Sequence, residues 1–252
     1  MTDEEEFLKQ KVLEIEMQKR SLVLQDASKN WMQESIKTNY SYHFEWLGRP
    51  IIQYPQDMIA VQQLLWRIQP DLIIETGIAR GGSLIFYASI LELISQCGGP
   101  KDAKILGIDI DIRQHNKRAI LAHPMAKRIE MLEGSSIDPK IIGKVTEYSK
   151  NKKRVVVCLD SNHTHNHVLE ELHLYSDFVS KDSYMIVFDT IVEQLNDNIA
   201  KDRPWAKGNN PMTAVEEFLS TSNNINKQFV IDTDIQNTIL LTVAPNGYLR
   251  RV

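Results

Sequence analysis

Apolar positions change their period twice along this chain. Over residues 1–30, Phe7, Leu8, Val12, Ile15, Leu22 and Val23 recur among charges at roughly helical spacing. That pattern predicts an amphipathic helix packed on the body or on another subunit. Residues 31–55 lose the period. Tyr40, Tyr42, His43, Phe44 and Trp46 crowd together, and Gly48, Pro50 and Pro55 break the run, which predicts an irregular aromatic cover. Helical spacing returns over 57–68. Beyond it, short β-branched runs alternate with helical segments such as 83–93 and 168–178. The runs are Leu72-Ile73-Ile74, Ile105-Leu106-Gly107-Ile108, Val155-Val156-Val157-Cys158-Leu159 and Tyr184-Met185-Ile186-Val187-Phe188, with shorter ones at 128–132, 229–231 and 238–243.

Apolar runs without polar alternation, joined by helices, predict an α/β, doubly wound, mostly parallel seven-stranded sheet covered on both faces. The last two runs follow one another across 232–236 with no helix between. A closing hairpin, and hence one antiparallel strand at the sheet's end, is the expectation. The chain then divides into an N-terminal helix and connecting segment, 1–56, and an α/β domain, 57–252.

Composition narrows the function classes. A net charge of −4 argues against a nucleic-acid binder, which shows a basic excess. No apolar run reaches the length of a membrane span, and the acidic start MTDEEEFLKQK is unlike a secretory leader. Cys97 and Cys158 build no framework of bridges, and Cys158 lies in an apolar run as a buried thiol would. The cytoplasm is the expected compartment.

Candidate chemistry gathers at the ends of the runs. The first ends in Glu75-Thr76-Gly77-Ile78-Ala79-Arg80-Gly81-Gly82-Ser83 and enters a helix directly. Glycines there let the backbone approach a ligand, and the helix N-terminus offers free N–H groups. The spacing is not that of the dinucleotide fingerprint. Glu75, just before the first glycine, suits a ligand bearing an ammonium. The second run ends in Gly107-Ile108-Asp109-Ile110-Asp111. Asp109 there can accept both hydroxyls of a ribose, whereas Asp111 can cap the next helix. After the third run, Gly134-Ser135-Ser136 either meets an adenine ring or only precedes a helix capped near Pro139.

The fourth run delivers Asp160-Ser161-Asn162-His163-Thr164-His165-Asn166-His167, and the fifth ends in Phe188-Asp189-Thr190. Carboxylates on neighbouring strand ends can share a hard cation such as Mg²⁺. The three histidines lack the spacing of a zinc site, and His163 suits a base beside the cation because imidazole titrates near neutral pH. Segment 196–211, with Arg203, Trp205, Lys207 and Asn209-Asn210, is a long connection of the kind that binds ligands, and it is expected to close over the site.

Taken together, WLGRPIIQYPQD, DLIIETGIARGGSLIFYAS, GIDID, LDSNHTH and RPWAKGNNPMTAVEEFL resemble the cephalosporin hydroxylase and rhamnosyl O-methyltransferase family, over about residues 42–243. The resemblance implies a class I methyltransferase fold, with S-adenosylmethionine on the first strands and Mg²⁺ near the fourth and fifth. More distantly the plan is similar to catechol O-methyltransferase. Glu75, Gly77, Gly81 and Ser83 would then hold the methionine end, Asp109 the ribose and Ser135 the adenine. Asp160 and Asp189, with Thr190, would be metal ligands, and His163 falls where the catechol-type enzymes place a catalytic lysine. Phe188 departs from the acidic pair that family members carry at this strand end, which removes one carboxylate from the set.

The implied reaction is O-methylation of a hydroxyl on a small molecule or sugar, with Asp160 and His163 at the chemistry and a homo-oligomer formed through the N-terminal segment. A nicotinamide-dependent oxidoreductase and a non-catalytic cofactor-binding module are the competing readings. A metal-dependent hydroxylase finds no convincing set of two histidines and a carboxylate.

Overall fold

The computed structural model describes residues 1–196, 203–221 and 228–252. The chain opens with helices α1 (Asp3–Arg20) and α2 (Leu22–Lys37). The single helix expected over 1–30 is therefore two. Ser21 takes extended backbone angles between them, and its side chain accepts the N–H of Leu24, so it ends one helix and caps the next. The stretch expected to be irregular is also more ordered: α2 runs on through Trp31 and Met32. A hairpin of β1 (Phe44–Trp46) and β2 (Arg49–Ile51) then turns at Leu47 and Gly48, both at positive φ.

Helix α3 (Pro55–Ile68) leads into β3 (Leu72–Thr76), α4 (Gly82–Gln96), β4 (Lys104–Asp109), α5 (Gln114–Leu121), β5 (Ile129–Glu133) and α6 (Pro139–Ser149). There follow β6 (Val155–Leu159), α7 (His165–Tyr175), β7 (Tyr184–Val187), α8 (Pro211–Ser220), β8 (Phe229–Ile231), α9 (Thr233–Ile239) and β9 (Tyr248–Arg251). The expected division at 56/57 falls in the first turn of α3. The N-terminal hairpin packs into the same body: Trp46 donates to Ser89 of α4 at 2.9 Å, and its ring meets Phe86 edge-on.

Among the described residues, seven strands form the main sheet in the order β5-β4-β3-β6-β7-β9-β8. β3 to β7 run parallel to one another, and β9 runs antiparallel to both β7 and β8. Side chains alternate between two buried layers, as a doubly covered sheet requires. Ile73, Ile105, Val156 and Ile186 pack on one face, and Leu72, Leu106, Val157 and Met185 on the other.

The sheet's end corrects the closing hairpin. Residues 238–243 are not a strand: Thr233–Ile239 is helical, capped by the Asp232 side chain, and Ile235, Ile239 and Leu241 pack on the core. The last strand is Tyr248–Arg251, and it lies inside the sheet between β7 and β8 rather than at its edge. Its two terminal arginines hide its strand character in the sequence. No helix among the described residues is long and apolar enough to cross a membrane.

Candidate functional site

Strand order reverses between β4 and β6 around β3, and open α/β sheets hold ligands at the carboxyl ends of such strands. β3 is wholly buried and passes into the glycine turn there. Gly77 lies at φ 93°, and a Cβ on it would sit 2.0 Å from the Asp160 carbonyl oxygen, so the close approach of the β3 and β6 ends demands glycine. Gly81, at φ 82°, is the N-cap of α4. Glu75 is fully buried beneath this turn. One of its oxygens accepts from Ser83 Oγ at 2.8 Å, and the other has no hydrogen-bond partner among the described residues. Burial pushes its carboxyl up to about 8, against the Ser83 and Tyr87 hydroxyls, which favour the anion.

Asp109, at the end of β4, is engaged differently from the free ribose acceptor expected. Its Oδ2 accepts the N–H groups of Ile78 at 2.8 Å and Ala79 at 3.1 Å, and its Oδ1 that of Asp111 at 3.1 Å. In this structure the carboxylate fastens the glycine turn. Ser135 belongs to the turn before α6, its carbonyl accepting from Asp138 N, and Asp138 caps the helix. Its neighbour Ser136 faces the β6 end instead, with Oγ 3.0 Å from His167 Nε2.

β6 and β7 pair in parallel with Leu159 opposite Val187, which places Asp160 and Phe188 side by side. Phe188 turns into the core. Asp189 then adopts left-handed angles, φ 56°, and swings its carboxylate back toward Asp160. Asp160, His163 and Asp189 each offer a ligand atom within 4.8 Å of the others. His163 Nε2 lies 3.3 Å from Asp189 Oδ2, and its ring meets Trp205 edge-on at 4.8 Å. Burial, then the charge of Asp189, raises the Asp160 carboxyl well above the usual carboxylate range. Thr190 does not join them. It is fully buried and donates to the Pro245 carbonyl at 2.7 Å, so its hydroxyl is committed elsewhere.

Two cavities meet at this cluster. The smaller, about 260 Å³, runs from the glycine turn and Ser83 to Asp160, Ser161 and His163. The larger, about 540 Å³, is lined by Tyr42, Tyr54, Ile191, Leu195, Arg203 and Trp205, and shares His163, Asp189 and Val243 with the first. Of segment 196–211, residues 197–202 lie outside the described residues. The part over 203–210 is braced: Ala206 and Asn209 pair through their main chains, and Glu193 accepts from Gly208 N and Asn210 Nδ2. Arg203 stacks over Trp205 at 5.3 Å.

Ser161, next to Asp160 in the strand-end run, also lines the site, as do Gln53, Tyr42 and Tyr54, which stand at no strand end of the main sheet. Only the aromatic crowding around Tyr42 signals a cover. The Asp160 and Asp189 carboxylates, with the smaller cavity beside them, fit a hard divalent cation next to a ligand arm held by the turn, and leave the His163 imidazole at its side.

The family model for rhamnosyl O-methyltransferase and CmcI matches residues 38–252. The chain belongs to this family. Rhamnosyl O-methyltransferase of Mycobacterium tuberculosis (strain ATCC 25618 / H37Rv) is 31% identical over 199 residues, covering 77% of this chain and 73% of that protein. Its counterpart in Mycobacterium leprae (strain TN) is 26% identical over 209 residues, covering 82% of each. Among solved structures, CmcI with Mg and SAM superposes with a TM-score of 0.55 at 18% identity, covering 84% of this chain and 77% of that one. CmcI with SAH superposes at 0.54 and 15% identity, covering 82% and 81%. These likenesses show the fold, a methyltransferase sheet with one antiparallel strand inserted, and not the nicotinamide-binding plan.

Proposed function

We propose that this member of the rhamnosyl O-methyltransferase/CmcI family transfers a methyl group from S-adenosylmethionine to a hydroxyl of a sugar or other small molecule, with a divalent cation at Asp160 and Asp189. The observation that carries this reading is that His163 and Asp189 line both the glycine-turn cavity and the aromatic chamber, with Asp160 beside them in the first. When bound, S-adenosylmethionine supplies a methyl on a positively charged sulfur, and Mg²⁺ supplies charge that favours the ionised form of an acceptor hydroxyl.

The chain's own groups supply position and proton transfer. Gly77, Gly81 and Ser83, supported by Glu75, shape the pocket for the amino-acid end of the cofactor. Asp109 stiffens the turn beside the ribose, and the Ser135-Ser136 turn borders the adenine. His163, wedged between Asp189 and Trp205, holds its Nε2 where it can take the hydroxyl proton. Tyr42, Tyr54 and Trp205 exclude water and offer flat faces to a ring. Alignment of the two reactants is the main source of acceleration.

α1 supports a homo-oligomer. It has no buried residue, and Phe7, Leu8, Val12 and Met17 stand exposed along it. Its first turn is acidic and its last basic, so two copies packed antiparallel would bring opposite charges together. The free thiols Cys97 and Cys158 suit a reducing compartment such as the cytoplasm.

The test is transfer of radiolabelled methyl from S-adenosylmethionine to methyl rhamnoside and to catechol, with and without chelator, alongside calorimetry with S-adenosylhomocysteine. Binding of the homocysteine product and chelator-sensitive transfer to either acceptor is expected. Absence of both would overturn the assignment.

A further inference from the structure

Gln53 leaves β2 and enters the site from the N-terminal extension rather than from a strand end of the sheet. The hairpin that delivers it is jammed against α4: a Cβ on Gly82 would lie 2.2 Å from the Pro50 carbonyl oxygen. Arg49 adds a hydrogen bond to the Arg80 carbonyl of the glycine turn. These contacts fix the backbone next to Gln53 above the smaller cavity. The residue is 7% exposed, and its Nε2 donates to Asp160 Oδ2 at 3.3 Å. Its Oε1 is buried and has no hydrogen-bond partner among the described residues. Gln53 also lines the cavity that runs from Ser83 to Asp160.

A side-chain amide has two ends of opposite character. Here the donor end faces a carboxylate that is ionised when it holds a cation, and that state fixes the orientation, since the reverse would set oxygen against oxygen. The acceptor end is then a buried carbonyl without a donor, an arrangement that costs free energy until a ligand brings one. The cavity beside it is the one assigned to the amino-acid end of the cofactor, whose ammonium is a donor with three N–H groups. We propose that Gln53 is a positioning residue that joins the two ligand sites: its N–H orients Asp160 for the cation, and its carbonyl accepts from the cofactor's ammonium. The inference rests on the proposed methyltransferase reading. It makes the N-terminal segment part of the catalytic centre and not merely a cover.

The experiment measures binding to the whole protein, with S-adenosylhomocysteine by calorimetry and Mn²⁺ by electron paramagnetic resonance, each alone and then with the other present. Gln53→Met keeps the length of the side chain and removes both polar ends. Gln53→Ala serves if the longer chain impairs folding. Either folded variant should bind S-adenosylhomocysteine at least tenfold more weakly and Mn²⁺ about tenfold more weakly, as loss of a group that orients a metal ligand does. Any tightening of one ligand by the other in the wild type should shrink in the variant. A merely structural role would lower the melting temperature and leave both affinities of the folded variant unchanged. Unchanged binding of either ligand in a folded variant overturns the bridging role. If the wild-type protein itself binds neither ligand, the methyltransferase reading fails first, which keeps the two failures distinguishable.

Discussion

Replacing Glu75 with glutamine perturbs a single buried proton-binding group without changing its shape. The carboxyl is fully buried, and its affinity for a proton is pushed from 4.5 up to about 8, chiefly by burial. Because the folded value lies above the unfolded one, the folded chain holds the extra proton between those limits. Stability is therefore fully present below pH 4.5 and is lost as pH rises toward 8. The full window corresponds to about 5 kcal/mol, of which about 3 kcal/mol is lost by pH 7. Glutamine does not titrate. It can still accept from Ser83 Oγ, but it places an N–H₂ where the unpartnered oxygen now lies, at a cost of about 1–3 kcal/mol. The variant should be less stable than the wild type at pH 5 and more stable at pH 8.5. Urea unfolding at pH 5, 7 and 8.5, read as midpoints with unchanged slopes, measures the crossing. If the two stability profiles run parallel across that range, Glu75 does not take up a proton on folding and the reasoning is wrong.

Three further outcomes follow from the site. Asp160→Asn should remove chelator-sensitive methyl transfer and weaken Mn²⁺ binding by tenfold or more, while S-adenosylhomocysteine affinity changes little; full activity after exhaustive chelation would take the cation out of the mechanism. Asp109→Ala removes three backbone hydrogen bonds to a carboxylate, so it should lower stability by about 2–4 kcal/mol and weaken cofactor binding through a loosened turn; an unchanged unfolding midpoint contradicts this. Trp205→Ala removes the ring against His163 and should reduce turnover with catechol or methyl rhamnoside far more than cofactor affinity; hydrogen exchange in residues 203–210 should report whether the brace survives.

Much of the fold is legible along the chain because its cause is local. Buried parallel strands need apolar runs, and those at Leu72, Ile105, Val155 and Tyr184 became strands β3, β4, β6 and β7. The glycine turn and the strand-end acids Asp160 and Asp189 were visible for the same reason, since strand termini place their residues at the crevice whatever surrounds them. The last strand was not visible. Tyr248–Arg251 is a strand because β7 and β8 flank it on both sides, not because of its own pattern.

The duties of individual side chains were decided in three dimensions. Thr190 and Asp189 are adjacent in sequence, yet the left-handed turn at Asp189 aims one at the cluster and leaves the other on the Pro245 carbonyl. Asp109 stands where a ribose acceptor is expected, but the turn's own N–H groups reach it first. Gln53 lies in WLGRPIIQYPQD, which carries the family resemblance but no sign of chemistry, and it meets Asp160 across 107 residues of chain. Sequence by itself determined the α/β sheet, the family and the strand ends that could carry chemistry. Tertiary structure alone decided which of those groups face one another, because a hydrogen bond depends on separation in space, and the chain's spacing says nothing of that once the backbone turns back on itself.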